Sequence, residues 1–295
     1  MKINIFKGTL LIAALASLAS CSQSELPDGI DTDNGRRTMN FHFSMPGASR
    51  VADDAFETGD KVGLFVAETD KPLEIAGNMV NNEPLTFDGN AWNATRKLYW
   101  NDGTFNAYAY YPFAGEVSSI SSMPFSVQTD QSIETDGMSG FEASDFLWSA
   151  ARNITASNTP VEMTFRHIMS RITIQLVKGE DYEGELPDDA AISIHNTVPT
   201  ATVDLSAGVA TPLPKGARQT IKASQSGRHT YTAIVVPQRL PNRVPLIEIE
   251  TKGVSMLYET KFLFKPGIHH HFNVILDKDP EQIKIEIGGE IVNWN

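Results

Sequence analysis

The sequence predicts an all-β protein: two tandem β-sandwich domains behind an export signal and a flexible tether. Three observations predict it. Apolar and polar residues alternate with a period of two in many segments after residue 38. Turn residues recur every 8 to 14 positions, which suits antiparallel sandwiches better than βαβ units. No amphipathic run of 12 or more residues has helical spacing, and no internal repeat of fixed period is present. The predicted division is 1–20 signal peptide, 21–37 tether, 38–159 first sandwich and 160–295 second sandwich.

The first 20 residues have the layout of an export signal: Lys2 and Lys7, then the apolar segment "TLLIAALASLA". That segment is shorter than the roughly 20 residues a spanning helix needs. It ends at Leu18-Ala19-Ser20-Cys21, which resembles the bacterial lipobox, with the cut between Ser20 and Cys21 and acylation, such as by palmitate, on the thiol. Cys21 is the single cysteine of the 295 residues, so the mature chain has no internal disulfide to form. Two or three acyl chains hold a protein stably, since each buried CH2 contributes about 0.8 kcal/mol. Ser22 follows rather than aspartate, which favours the outer membrane. "SQSELPDGIDTDNGRR" is poor in apolar groups and suits a tether. "DTDNG" within it lacks the distal glutamate of a calcium loop.

The strands follow in order. "MNFHFSM" (39–45) puts Met39, Phe41, Phe43 and Met45 on one face and Asn40, His42 and Ser44 on the other. "DKVGLFVAE" (60–68) reads as a mostly buried strand, and "LTFDGNAWN" (85–93) as a hairpin with an Asp-Gly turn. "RKLYW" (96–100), "FNAYAYYPF" (105–113) and "FSVQTDQS" (125–132) are further strands, and "DFLWSAAR" (145–152) fits a strand or a short helix. The polar "NITASNTP" (153–160) reads as the linker, with "MTFRH" just beyond it fitting either side. Beyond it come 161–167, 170–179, 190–196, 201–205, 228–237, 245–253, 254–264, 267–277 and 283–294.

The chemistry-bearing residues give little support to an enzyme. Gly-x-Ser-x-Gly, HExxH, Walker and dinucleotide motifs are missing, so the chain reads as a non-enzyme without a cofactor. A net charge of −12, from 36 acidic and 24 basic residues, argues against nucleic-acid binding. In His269-His270-His271 the outer two share a strand face and form half a zinc site, but no third ligand is evident; a solvated strand start is the better reading, with no metal. His167 reads as a hydrogen-bonded packing residue. Tyr99, Trp100, Phe105, Tyr108, Tyr110, Tyr111 and Phe113 are dense enough for a sugar-stacking face, but such a run more often forms sandwich core and edge packing.

Several segments together resemble the fimbrillin family of anaerobic Gram-negative bacteria, lipoprotein precursors of type V pilus subunits and related tip or anchor proteins. They are "SRVADDAFETGDKVGLFV", "LYWNDGTFNAYAYYPF", "DQS", "SDFLWSA", "MTFRHIMSRITIQL", "FLFKPGIHHHFNVIL" and the terminal "GGEIVNWN". The resemblance implies two transthyretin-like sandwiches, export as a surface-exposed outer-membrane lipoprotein, and a structural or adhesive role in a fimbrium. It also implies a trypsin-like cut after an arginine, release of an N-terminal strand, and filling of the vacated groove by a strand from another subunit. Arg50 is then the first candidate cut site and Arg37 the second. The released strand carries Met39, Phe41, Phe43 and Met45. The donor candidate is the C-terminal segment with Ile283, Ile285, Ile287, Ile291 and Trp294. The expected partners are other pilus subunits, the outer membrane through lipid, and a host or bacterial surface ligand. The alternative function is a surface glycan-binding lipoprotein that uses the aromatic run 98–113.

Overall fold

A computed structural model of the chain describes residues 35–45, 55–135, 137–277, 284–286 and 292–293. Among them the fold is all-β, with 23 strands and a single three-residue 3-10 turn, Glu142–Ser144. The sheets stack as β-sandwiches, as the turn spacing and period-two pattern predict.

The N-terminal half is built on a six-stranded antiparallel sheet. Its order is Arg166–His167, Leu147–Thr155, Thr104–Tyr111, Lys61–Glu68, Val80–Phe87 and Trp92–Ala94. The two central strands are buried on both faces, which is why "VGLFVA" and "FNAYAY" are nearly free of charge. Val62, Leu64, Val66, Phe105, Ala107 and Ala109 enter one core, under the strands Phe41–Ser44 and Val161–Thr164. Phe65, Ala67, Tyr108 and Tyr110 point the other way, into a second core that continues through the C-terminal half. Gly63 is required here: a side chain on it would run into the Tyr110 ring. The Tyr110 hydroxyl donates to Asn82 Oδ1 at 2.7 Å, and burial pushes its pKa up to about 12.

The C-terminal half pairs a sheet ordered Ser224–Gly227, Thr230–Val235, Ser170–Lys178, Ile268–Leu276 and Lys284–Glu286 with a four-stranded one. The latter is ordered Gln219–Lys222, Ala191–Thr197, Gln238–Thr251 and Val254–Phe264. Ile172, Ile174, Ile192, Ile194, Ile247, Ile249, Phe272 and Val274 fill the space between them.

Some expected elements differ. "RKLYW" is no continuous strand: its backbone meets residues 37–39 through the Thr38–Tyr99 bridge. Of 125–132, only the start lies in a strand, Met123–Ser126, which pairs with Thr200–Asp204. Past it, the fully buried Gln131 side chain takes a strand's place, accepting from Ile234 N and donating to Ile234 O, both at 2.8 Å. "DFLWSAAR" resolves as the strand Leu147–Thr155, which runs into the expected linker. Residues 161–167, expected at the start of the second domain, pair with the first: Val161–Thr164 with Phe41–Ser44, and Arg166–His167 with the strand at Leu147. Pro160 thus interrupts the ladder without ending the N-terminal sheets. The short strands Val209–Pro212, Gln219–Lys222 and Ser224–Gly227 were not expected, being only four residues each and, for the last two, mostly polar.

Candidate functional site

The candidate site is the first strand and the space beside it. Phe41–Ser44 runs parallel to Val161–Thr164, with Phe41 opposite Val161 and Phe43 opposite Met163. The ladder is extended by Val161 N donating to Asn40 O and Phe165 N to Ser44 O, both at 2.9 Å. On its other side, among the described residues, the strand has backbone partners only at its start, where Met39 N donates to Leu98 O and Trp100 N to Arg37 O. Beyond that point lies an open cleft of about 960 Å³, with Leu85, Phe87, Trp92 and Leu98 in its wall.

The side chains follow the predicted alternation. Met39, Phe41 and Phe43 are buried at 6%, 9% and 6% exposure, and Met45 is half-buried. Phe43 meets Trp92 edge-on at 5.2 Å and Phe165 at 5.4 Å, and Phe41 meets Trp100 at 6.2 Å between ring centroids. Such pairs add to the burial itself. On the outer face His42 sits 2.6 Å from Glu162 and Ser44 3.1 Å from Thr164, both in solvent, where a pair contributes little. The sequence singled out the strand but not its receptor residues: Trp92, Leu98, Met163 and Phe165. Met163 and Phe165 were legible as a second period-two pair in "MTFRH"; Trp92 and Leu98 were not.

Arg37 lies at the start of this strand, half-exposed at its side chain, with Nη1 donating to Ala156 O at 3.2 Å and Nη2 3.7 Å from Asp102. Ser20, Cys21 and Arg50 lie outside the described residues, as do Ile283, Ile287, Ile291 and Trp294. Ile285 belongs to Lys284–Glu286, which pairs antiparallel with Ile268–Leu276, opposite Val274. Val292–Asn293 pairs with the start of the same strand. The described residues of the C-terminal segment, 284–286 and 292–293, therefore sit at the edge of this sheet.

The aromatic run is not a platform. Trp100, Phe105, Tyr108 and Tyr110 are buried, and Tyr99, Tyr111 and Phe113 are half-buried. Their density reflects a strand packed on both faces. His269 and His271 do share a face, with ring centroids 3.9 Å apart, and His269 Nε2 lies 2.7 Å from the Thr173 hydroxyl. Desolvation, with Arg171 and His271 nearby, holds His269 down to about 3. His270 points into the core against Phe262 and Phe264, and burial holds it down to about 4. The triplet is thus half-buried rather than a solvated strand start. Among the described residues no group of three or more His, Cys, Asp or Glu is placed to hold a metal ion. His167 Nδ1 lies 2.8 Å from Asp145 Oδ2 in a buried, hydrogen-bonded setting.

Comparison with known proteins gives matches of three kinds. A family model described as Fimbrillin-like matches residues 49–294. A protein named as fimbrium tip subunit Fim1C, from Bacteroides ovatus, is 27% identical over 191 residues, which is 59% of this chain and 35% of that protein. The match therefore spans about a third of the relative's length. Among solved structures, a protein described as a cell adhesion protein from Bacteroides ovatus superposes with a TM-score of 0.69 at 18% identity, covering 88% of this chain and 98% of that one. Another so described, from Bacteroides uniformis, gives 0.68 at 16% identity with the same coverage. At these identities the structural likeness speaks for the fold.

Proposed function

The chain belongs to the fimbrillin-like family, and from that premise we propose that it is a fimbrial component, stalk, tip or anchor, that assembles by exchange of strand 39–45. In this reading the protein reaches the outer membrane as a lipoprotein acylated on Cys21. A protease cut after Arg50 then releases the strand, and a strand from another subunit takes its place. The segment bearing Ile283, Ile285, Ile287, Ile291 and Trp294 is the proposed donor. A cut at Arg37 would instead free the lipid and leave the strand seated.

One observation carries the reading. The strand is held by three buried side chains and a ladder on one side, beside an open cleft. That is the architecture of a removable plug: specificity from alternate side chains in pockets, and few backbone bonds to break. The N-terminal sequence of the assembled protein tests it. A start at Val51 supports release; an acylated Cys21 at the head of all assembled material refutes it. Deletion of 289–295 tests the donor: polymers should vanish while the monomer still folds.

A further inference from the structure

We propose that the strand Val254–Phe264 is a second, separate interface, through which two copies of this chain pair edge to edge and antiparallel about a two-fold axis at Thr260. The strand is the last in its sheet, and among the described residues it pairs only with Gln238–Thr251. Its 11 residues contain no proline and no glycine. The extra residues that distort this ladder all lie in Gln238–Thr251, around Leu240–Val244 and Pro245–Ile247. The edge strand itself is regular: from Ser255 to Phe264 every odd position is exposed and every even one is half-buried or buried. Leu257 and Leu263 stand on the outer face at 48% and 46% exposure.

The sequence of this edge, "VSMLYETKFLF", is self-complementary. An antiparallel pairing centred on Thr260 sets Glu259 of each copy opposite Lys261 of the other. It sets Leu257 opposite Leu263 on the same face. On the inner face it sets Tyr258 opposite Phe262 and Met256 opposite Phe264, with Thr260 opposite itself. Each pair joins opposite charges, two apolar groups or two threonines, the combinations that stabilise antiparallel sheets. A two-fold interface needs this property, because the same patch must complement itself. Edges kept from pairing generally carry proline, a bulge or like charges. This one has two opposite charges at symmetric positions. Glu259 also lies 3.7 Å from Arg243 in an exposed pair, which leaves its second oxygen for a lysine across the axis.

This interface does not depend on strand release, since the uncut chain carries the whole edge. The test uses the full, uncut chain in detergent, co-expressed with two different tags, capturing one tag and measuring the other. Wild type should co-purify. Glu259→Lys alone or Lys261→Glu alone should lower capture about tenfold, because like charges then face each other at both symmetric positions. Combining the two variants should restore capture, since every lysine then faces a glutamate. The proposal is overturned if wild type does not self-capture, if either single variant captures as well as wild type, or if the mixture fails while both variants melt as wild type does. Should a charge variant melt lower, Leu263→Arg on the same exposed face decides, with lost capture expected and unchanged capture contrary.

Discussion

Two edge strands of this molecule are held in opposite ways. Phe41–Ser44 has four residues, a ladder on one side and a face of buried apolar side chains. Val254–Phe264 has 11 residues, a ladder along most of its length and an outer face in water. The first is fixed by what its side chains fill, the second by its backbone. Burial of Met39, Phe41 and Phe43 stabilises by roughly 5 to 9 kcal/mol in sum, at about 1.5 to 3 each. That is comparable with the net stability of a whole domain, about 5 to 15 kcal/mol. A subunit that lost this strand would need another in its place. Among the described residues no such groove lies beneath the second strand, and what it offers a partner is an edge with no further strand beside it.

The largest effect should come from the side-chain anchor. Phe43→Ala should cost about 3 to 5 kcal/mol in denaturant unfolding, as for other buried phenylalanines. A loss under about 1 kcal/mol would mean that the strand is not seated as described. Next comes the tie between the halves. Gln131→Leu leaves both backbone groups of Ile234 without their side-chain partner and should cost about 2 to 3 kcal/mol. An unchanged urea midpoint would rule out that role. Smallest of the three substitutions is Leu257→Ser, which should move monomer stability by no more than about 0.5 kcal/mol, because the residue is half in water. A loss as large as that of Phe43→Ala would erase the contrast between the two strands.

Acid separates the regions in another way. His269 and His270 lie in the C-terminal sandwich with folded values of about 3 and about 4. Desolvation is the main cause for both; Arg171 and His271 add to it for His269, and Lys265 for His270. In the unfolded chain both take up protons near 6.5. Stability is therefore fully present above pH 6.5 and is lost as pH falls from 6.5 toward the folded values, where the unfolded state binds more protons. Urea midpoints should fall between pH 7 and pH 4.5, and His270→Phe should flatten that slope. A slope unaffected by the substitution would remove His270 from the account.

The all-β class was legible because so many strands bury one face and so alternate. The anchor strand was legible for the same reason: Met39, Phe41 and Phe43 alternate cleanly with Asn40 and His42. The aromatic run was ambiguous, because a sugar platform and a strand buried on both faces have the same composition; only the burial of Tyr108 and Tyr110 separates them. Strands such as Gln219–Lys222 left no pattern, being short and polar, with their pairing decided by distant neighbours. Half of the anchor strand's receptor was hidden, because Trp92 and Leu98 come from segments far in sequence from Met163 and Phe165. The symmetry of Val254–Phe264 was in the letters all along, but it acquires meaning only once the strand is known to be an edge.

The most direct test of the central claim is peptide exchange. A fluorescent peptide of residues 38–46 is titrated, by anisotropy, into the chain that begins at Val51 and into the uncut chain. The account predicts saturable binding to the shortened chain, none to the uncut chain, and loss of binding when Phe41 and Phe43 of the peptide are both alanine. Equal binding to both chains, or none to the shortened chain while it remains folded, would contradict it.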